Sequence, residues 1–280
     1  GGRRFATERT VPVMRGRMIM KPSILTVAGS DSSSGAGIQM DILTAAALGV
    51  HATCAVTAVT AQNTLAVSKV VPIDPDVLAS QIESVFEDIM PDAVKIGMLV
   101  NERSASAVSE KLAEHPEVPI VLDPVLSSTT GAMLTDPSIV SSLFGNLLCQ
   151  ATIITPNIPE AELIAHMTIE GASDIERAAK TILGYGANAV LITGGHAGGE
   201  TCTDHLYMKD MEVELETPRR IGEFHGTGCS MSTAIACGLA KGMNILASVQ
   251  HANMMMSEML KHPTDMGHGS QIIDPLWNIK

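Results

Sequence analysis

A mostly parallel β-sheet covered by helices on both faces is the fold this sequence predicts, and two observations carry the prediction. Short, continuously apolar runs alternate with helical patterns along most of the 280 residues, as expected of strands buried from both sides. The unusual polar segments fall just after those runs, where open α/β sheets bind ligands beyond the carboxyl ends of their strands. A chain of this length can enclose one large core, and no repeat, low-complexity linker or domain boundary interrupts it.

Taken in order, Ile24–Val27 reads as a buried strand. Gly35–Leu48 follows as a helix through Ile38, Ile42 and Ala45 that ends at Gly49, and Ala55–Val59 is a second strand. Asp74-Pro75 supplies an N-cap and a first-turn proline for a helix whose face is Leu78, Ile82, Val85 and Ile89. Ala93–Ile96 and Pro119–Leu122 are strands separated by a helix near Arg103–Ala113, and Thr152–Ile154 is another strand. Ser173-Asp174-Ile175-Glu176 predicts a capping box for a helix that closes near Tyr185-Gly186, with a strand at Ala189–Ile192 beyond it. Thr203–Glu216 alternates like a hairpin. Helices over about Thr227–Lys241 and Ile245–Leu260 complete the pattern.

Composition excludes several function classes. Lys and Arg number 18 against 30 Asp and Glu, a formal charge of −12, and aromatic residues are only 2%. Such a chain neither attracts polyanions by its overall field nor offers a stacking surface, so nucleic acid is not an expected partner. Any phosphate must be held by a local device. The five cysteines have no zinc-type spacing, which fits a reduced, cytoplasmic protein. No apolar run approaches the roughly 18–20 residues of a membrane span. Residues 1–17 are basic without an apolar signal core; they are expected to be a disordered extension or expression remnant, leaving 18–280 as a single domain.

The chemistry concentrates in a few segments. In Phe224-His225-Gly226-Thr227-Gly228-Cys229-Ser230 the glycines let successive amides converge, and the following helix adds unpaired N–H groups and a positive dipole end. That suits a phosphate in transfer, and it is where a thiol such as Cys229 is expected to ionise readily. The ordinary alternative is a glycine-rich helix start. Ala28–Gly37 combines small side chains with hydroxyls but lacks a P-loop lysine and the dinucleotide fingerprint. Thr60-Ala61-Gln62-Asn63-Thr64 offers an amide donor and acceptor of the kind an aminopyrimidine edge requires. Asp123 and the Asn157…Glu160 pair are oxygen donors at strand ends, suited to magnesium on nucleotide phosphates or to plain helix capping. Gly194-Gly195-His196 is a tight turn at another strand end.

These segments together resemble the hydroxymethylpyrimidine/phosphomethylpyrimidine kinases of thiamine biosynthesis. The likeness runs from about Ser23 to Leu260 and includes Ala28–Ser33, Gly35–Gln39 with Asp41, Thr60–Thr64, Lys95–Leu99, Asp123–Val125, Thr155–Glu162, Gly194–His196 and His225–Cys229. It implies a ribokinase-like three-layer α/β/α sandwich, a homodimer, ATP as co-substrate and Mg²⁺ as cofactor. The acceptor implied is 4-amino-5-hydroxymethyl-2-methylpyrimidine or its monophosphate; the alternatives are a pyridoxal kinase-type activity, since that ring also carries a hydroxymethyl group, and a non-catalytic pyrimidine-binding protein. By the same resemblance Gln62 reads the ring edge beside Gly29, and Asp41, Met98 and Val125 line its pocket. Gly226, Thr227 and Gly228 form the anion hole and Cys229 occupies the place of a base. Asn157, Gly194, His196 and Thr227 meet the nucleotide, and Asp123 with Glu160 the metal. Two family lysines are missing: Thr193 precedes the Gly-Gly-His, and Ser127-Ser128-Thr129-Thr130-Gly131 replaces a Lys-Ser-Gly loop. Arg219, Arg220, His196 and His225 are candidates to make up the charge.

Overall fold

The structure, a computed structural model, describes residues 21–126, 140–196, 200–220, 222 and 224–278, with the backbone alone at 141–144 and 196. The expected leading extension and the Ser127–Gly131 run lie outside the described residues.

Nine strands form one sheet. They are β1 (Ser23–Ser30), β2 (His51–Gln62), β3 (Val67–Pro72), β4 (Ala93–Ile96), β5 (Ile120–Leu122), β6 (Ile153–Ile154), β7 (Ala189–Ile192), β8 (Thr201–Met208) and β9 (Met211–Pro218). Their order is β3-β2-β1-β4-β5-β6-β7-β8-β9. The pairings from β2 across to β7 are parallel, and β3, β8 and β9 join antiparallel at the edges. The chain grows outward from β1 in one direction and then returns to place β4 on its other side. That reversal opens a crevice at the carboxyl ends of β1 and β4.

Side-chain alternation sorts the strands into two cores. Leu25, Val27, Val94 and Ile96 pack under α2 (Pro75–Asp88), α3 (Glu102–Leu112), α4 (Val140–Leu148), α5 (Ile158–Ala165) and α6 (Ala172–Gly184). Ile24 and Ala93 face α1 (Gly37–Ala47), α7 (Thr227–Ala240) and α8 (Ile245–Met259). By the two-residue pleat, Lys95 shares the second face with Ala93. A small sheet of β10 (Phe224–His225), β12 (Gln271–Ile273) and β11 (Pro263–Thr264) ties the lead-in of α7 to the end of the chain.

The mostly parallel three-layer sandwich is as expected, with local differences. The first helix begins at Gly37 and buries Ile38, Met40, Asp41, Thr44 and Ala45, leaving Ile42 exposed. Polar Asp41 and Thr44 occupy core positions that an apolar pattern cannot mark. The predicted capping box at Ser173–Glu176 does not form. The helix starts earlier, at Ala172, with Gly171 as an N-cap that offers no side chain, and Asp174 reaches back to the Glu170 N–H at 3.0 Å. A complete capping box stands instead at Asn157–Glu160, opening α5. The predicted second strand is longer, so Gln62 ends a strand rather than lying in a turn.

Candidate active site

The glycine turn expected to bind an anion is built by α7 and the residue before it. Gly226, the N-cap, has φ +91°, in the left-handed region, and a Cβ there would come within 2.3 Å of the Gly35 carbonyl oxygen. Only glycine fits. No side chain caps the helix, so its first N–H groups lack intrahelical partners. Thr227 is half-buried and Gly228 exposed, which leaves this turn open to a ligand. The Asp123 carboxylate, on the segment after β5, lies about 4.0 Å from where a Gly228 Cβ would stand.

Cys229, two residues into α7, departs from expectation. Burial is the main influence and pushes its thiol up to about 12; the Asp41 and Asp123 charges add to this, while Lys95 and the Gly37 N–H oppose it. Burial, with two carboxylates behind it, prevails over the nearby positive charge. At neutral pH Cys229 is therefore a thiol, and the expectation of an easily ionised sulfur is corrected.

Beneath the turn lies a fully buried ionic network that the sequence reading did not assign. Lys95 Nζ sits 3.0 Å from both oxygens of Asp41 and 3.8 Å from Asp123 Oδ2. Thr233 donates to Asp41 Oδ1 at 2.8 Å and Thr26 to Oδ2, so α1, α7, β1 and β4 are joined through one carboxylate. Burial alone works to lower the Lys95 pKa, but Asp41 and, to a smaller degree, Cys229 and Asp123 hold it above the ordinary lysine range. Asp41 has no exposed surface. Its oxygens are taken up by Lys95, Thr233 and Thr26 inside the core, which does not fit the ring-lining place expected of it. The only signal in the sequence was a lysine within the otherwise apolar run Ala93–Ile96.

Asp123 follows β5, and Glu160, in the first turn of α5, lies near enough to feel its charge. Asp123 Oδ2 accepts from Ser232 at 3.0 Å. Glu160 accepts from the N–H groups of Asn157 at 2.9 Å and Leu126 at 3.4 Å. Burial, reinforced by the Asp123 charge, pushes Glu160 up to about 8, and burial likewise raises Asp123. No group of three or more His, Cys, Asp or Glu among the described residues is placed to hold a metal ion. Two hard oxygen donors that repel one another do fit a magnesium ion that keeps most of its waters.

On the far side of the crevice, Asn157 is committed to capping: its Oδ1 accepts the Glu160 N–H at 2.9 Å. A Cβ on Gly194 would meet the Thr203 carbonyl oxygen at 2.0 Å, so the turn presses against β8. The Gly194 N–H donates to Asp204 at 2.9 Å. Arg219 donates to the carbonyls of Gly195 (2.9 Å), Gly194 (3.2 Å) and Thr201 (3.3 Å). This arginine shapes the turn through three carbonyls. The His196 side chain lies outside the described residues.

Gly29, Met98 and Gln62, expected around the ring, lie near the carboxyl ends of β1, β4 and β2. A Cβ on Gly29 would strike the Met98 methyl at 2.3 Å, so these two pack directly, while Val125 is half-buried beyond Asp123. Gln62 does not stand alone, since its amide lies against Thr60 and His225. His225 in turn meets Asp31 at 3.0 Å. These contacts of His225 and Asp31 were not read from the sequence, where both appeared only as members of polar loops.

The chain is similar to known proteins along most of its length. The profile of the family described as Phosphomethylpyrimidine kinase matches residues 31–274. A hydroxymethylpyrimidine/phosphomethylpyrimidine kinase of Synechococcus elongatus is 42% identical over 250 residues, covering 89% of this chain and 95% of that protein. The crystal structure of phosphomethylpyrimidine kinase from Clostridium difficile 630 superposes with a TM-score of 0.76 at 39% identity, covering 85% of this chain and 99% of the other. Bacillus subtilis pyridoxal kinase, solved as an ADP complex, gives a TM-score of 0.85 at 31% identity, covering 92% and 98%.

Proposed function

The chain belongs to the phosphomethylpyrimidine kinase family, and from that premise we propose that it moves the γ-phosphoryl group of ATP onto an aminopyrimidine of thiamine biosynthesis. The acceptor is the 5-hydroxymethyl group of 4-amino-5-hydroxymethyl-2-methylpyrimidine, the phosphate of its monophosphate, or each in turn. The observation that carries this reading is the uncapped start of α7, entered through left-handed Gly226 and opening into the same crevice as Gln62.

Phosphoryl transfer proceeds through a loose transition state, so the protein's work is alignment and charge stabilisation. The N–H groups of Thr227, Gly228 and Cys229 take the equatorial oxygens as they gain charge. The Gly194–His196 turn and Asn157 border the nucleotide. Asp123 and Glu160 would hold Mg²⁺, which when bound neutralises phosphate charge. Gln62 orients the ring, with Gly29, Met98 and Val125 around it. No described helix is long and apolar enough to cross a membrane; a cytoplasmic homodimer completes the reading.

Pyridoxal carries a comparable hydroxymethyl group, and the likeness to pyridoxal kinases makes it a second acceptor to assay. The direct test incubates purified protein with MgATP and either the free pyrimidine alcohol, its monophosphate or pyridoxal, and separates products by charge. Phosphorylation of at least one pyrimidine, in preference to pyridoxal, is expected. Turnover of pyridoxal alone would overturn the assignment.

Cys229 acts here as a base drawn from a small thiolate fraction. With its thiol near 12, that fraction rises about tenfold per pH unit through the neutral range. Phosphorylation of the alcohol is therefore expected to accelerate from pH 7 to 9, whereas transfer to the already ionised monophosphate stays nearly flat. Cys229→Ala should erase the slope for the alcohol and harm the second reaction less. Parallel profiles for both acceptors, equally reduced by the substitution, would remove the base role.

A further inference from the structure

His225 stands one residue before the anion-binding turn and is almost wholly buried. Its Nε2 is 3.0 Å from Asp31 Oδ2 and 3.1 Å from the Gln62 Nε2 position. Gly35 fixes the ring from the side, since a Cβ there would come within 2.2 Å of Cδ2. Asp31 directly follows β1, and its oxygens accept from the Ser33 N–H and hydroxyl, both at 2.8 Å, and from the Gly35 N–H at 3.1 Å. Burial acts to raise its pKa, but the bonds from His225 and Ser33 prevail and hold the carboxyl below the ordinary carboxylate range.

Counting donors then fixes the network. An ionised carboxylate only accepts, so the proton between Asp31 and His225 belongs to Nε2, and that nitrogen has no lone pair to receive an N–H from Gln62. The contacts are all satisfied when the Gln62 amide is turned to place Oε1 against His225 and Nε2 against Thr60. Thr60 Oγ1 lies 3.3 Å from that end of the amide and donates to the Ser30 carbonyl at 3.1 Å. The shared Nε2–H of His225 serves Asp31 and Gln62 Oε1, and the chain of donors ends on a backbone carbonyl.

We propose that Asp31 and His225 are positioning residues that lock the Gln62 amide in one orientation and so decide which way round the aminopyrimidine lies. The proposal rests on the pyrimidine kinase reading above. Oε1 keeps a lone pair for the 4-amino group and Nε2 keeps a hydrogen for ring N3. The amino group then lies on the His225 side. Carbon 5 adjoins carbon 4, so the hydroxymethyl group projects past His225 toward Gly226 and the first turn of α7. A reversed amide would turn the ring over and send the 2-methyl group there instead.

The test compares the aminopyrimidine alcohol, or its monophosphate if that alone is accepted, with the 4-oxo analogue. The edge of the analogue presents N3–H and O4, the opposite donor order. A site with a fixed amide should favour the amino compound by at least about 10²-fold in kcat/KM. His225→Leu frees the amide, and the ratio should fall to within about tenfold. Asp31→Asn, which can itself donate to the imidazole, should lower the ratio in the same direction, while His225→Gln, which restores an N–H near the same place, should recover it. A structural defect would slow both substrates and leave the ratio intact. An unchanged ratio in folded His225→Leu and Asp31→Asn overturns the proposal. Should those variants fail to fold, ¹⁵N NMR of the parent imidazole decides: Nε2 protonated upholds it and Nε2 bare refutes it. A parent enzyme that phosphorylates neither pyrimidine would instead refute the kinase reading, and the same spectrum would still report the His225 proton.

Discussion

Gly226→Ala is expected to lower kcat by about 10²–10³-fold toward both pyrimidine acceptors, the loss seen when a preorganised oxyanion donor is removed. Two features force the result. Gly226 has φ +91°, a conformation that costs an L-residue roughly 1–2 kcal/mol. Its new Cβ would also lie 2.3 Å from the Gly35 oxygen, a distance that backbone cannot tolerate. The turn must move, and the N–H groups of α7 move with it. Because Gln62 and the Gly194 turn belong to other elements, KM values for the pyrimidine and ATP should change far less than kcat. Steady-state kinetics beside a thermal melt check this. Turnover within threefold of the parent would show that the turn does not hold the reacting group.

The second large effect concerns stability. Lys95→Met is expected to destabilise the fold by about 3–5 kcal/mol, the usual consequence of stranding a buried charge. The fully buried Lys95 ammonium is the cation at 3.0 Å from both Asp41 oxygens. Because its folded pKa is raised above the ordinary 10.5, the Lys95 contribution is fully present below that value and is lost only as pH climbs through the folded one. A neutral-pH denaturation series therefore reads the whole effect. Pairing Lys95→Met with Asp41→Asn should recover part of the loss, since the stranded carboxylate is gone. Single and double variants of equal stability to the parent would mean that the network contributes nothing to holding α1 and α7 on the sheet.

What could be read from the sequence follows from which signals are local. Strands buried on both faces announce themselves as apolar runs, and Ala93–Ile96 and Ala189–Ile192 match the structure residue for residue. Edge strand β3 (Val67–Pro72) escaped because Ser68 and Lys69 face solvent and Pro72 ends it. Helix α5 escaped because it is short and carries a proline in its first turn. Its capping box was read only as an option for Asn157 and Glu160. Glycine turns were legible because steric demand leaves few residue choices, as at Gly226 and Gly194. The Lys95–Asp41 pair, the Arg219 clamp and the Asp31–His225–Gln62 chain were not. Their members lie 54, 25 and as many as 194 positions apart in sequence, and no periodicity links them. The ionisation of Cys229 went wrong for the same reason: the helix end is visible in the sequence, while the burial of the thiol, and the approach of Asp41 and Asp123, arise only in the folded chain.

Backbone amide NMR tests the phosphoryl-binding claim most directly. The protein would be saturated with ADP, Mg²⁺, aluminium fluoride and the pyrimidine monophosphate, so that a planar fluoride stands in for the group in flight. The N–H resonances of Thr227, Gly228 and Cys229 should move strongly downfield, and more than with ADP and Mg²⁺ alone. If all ligands bind and these three resonances remain where they are in the free protein, the start of α7 is not where transfer occurs.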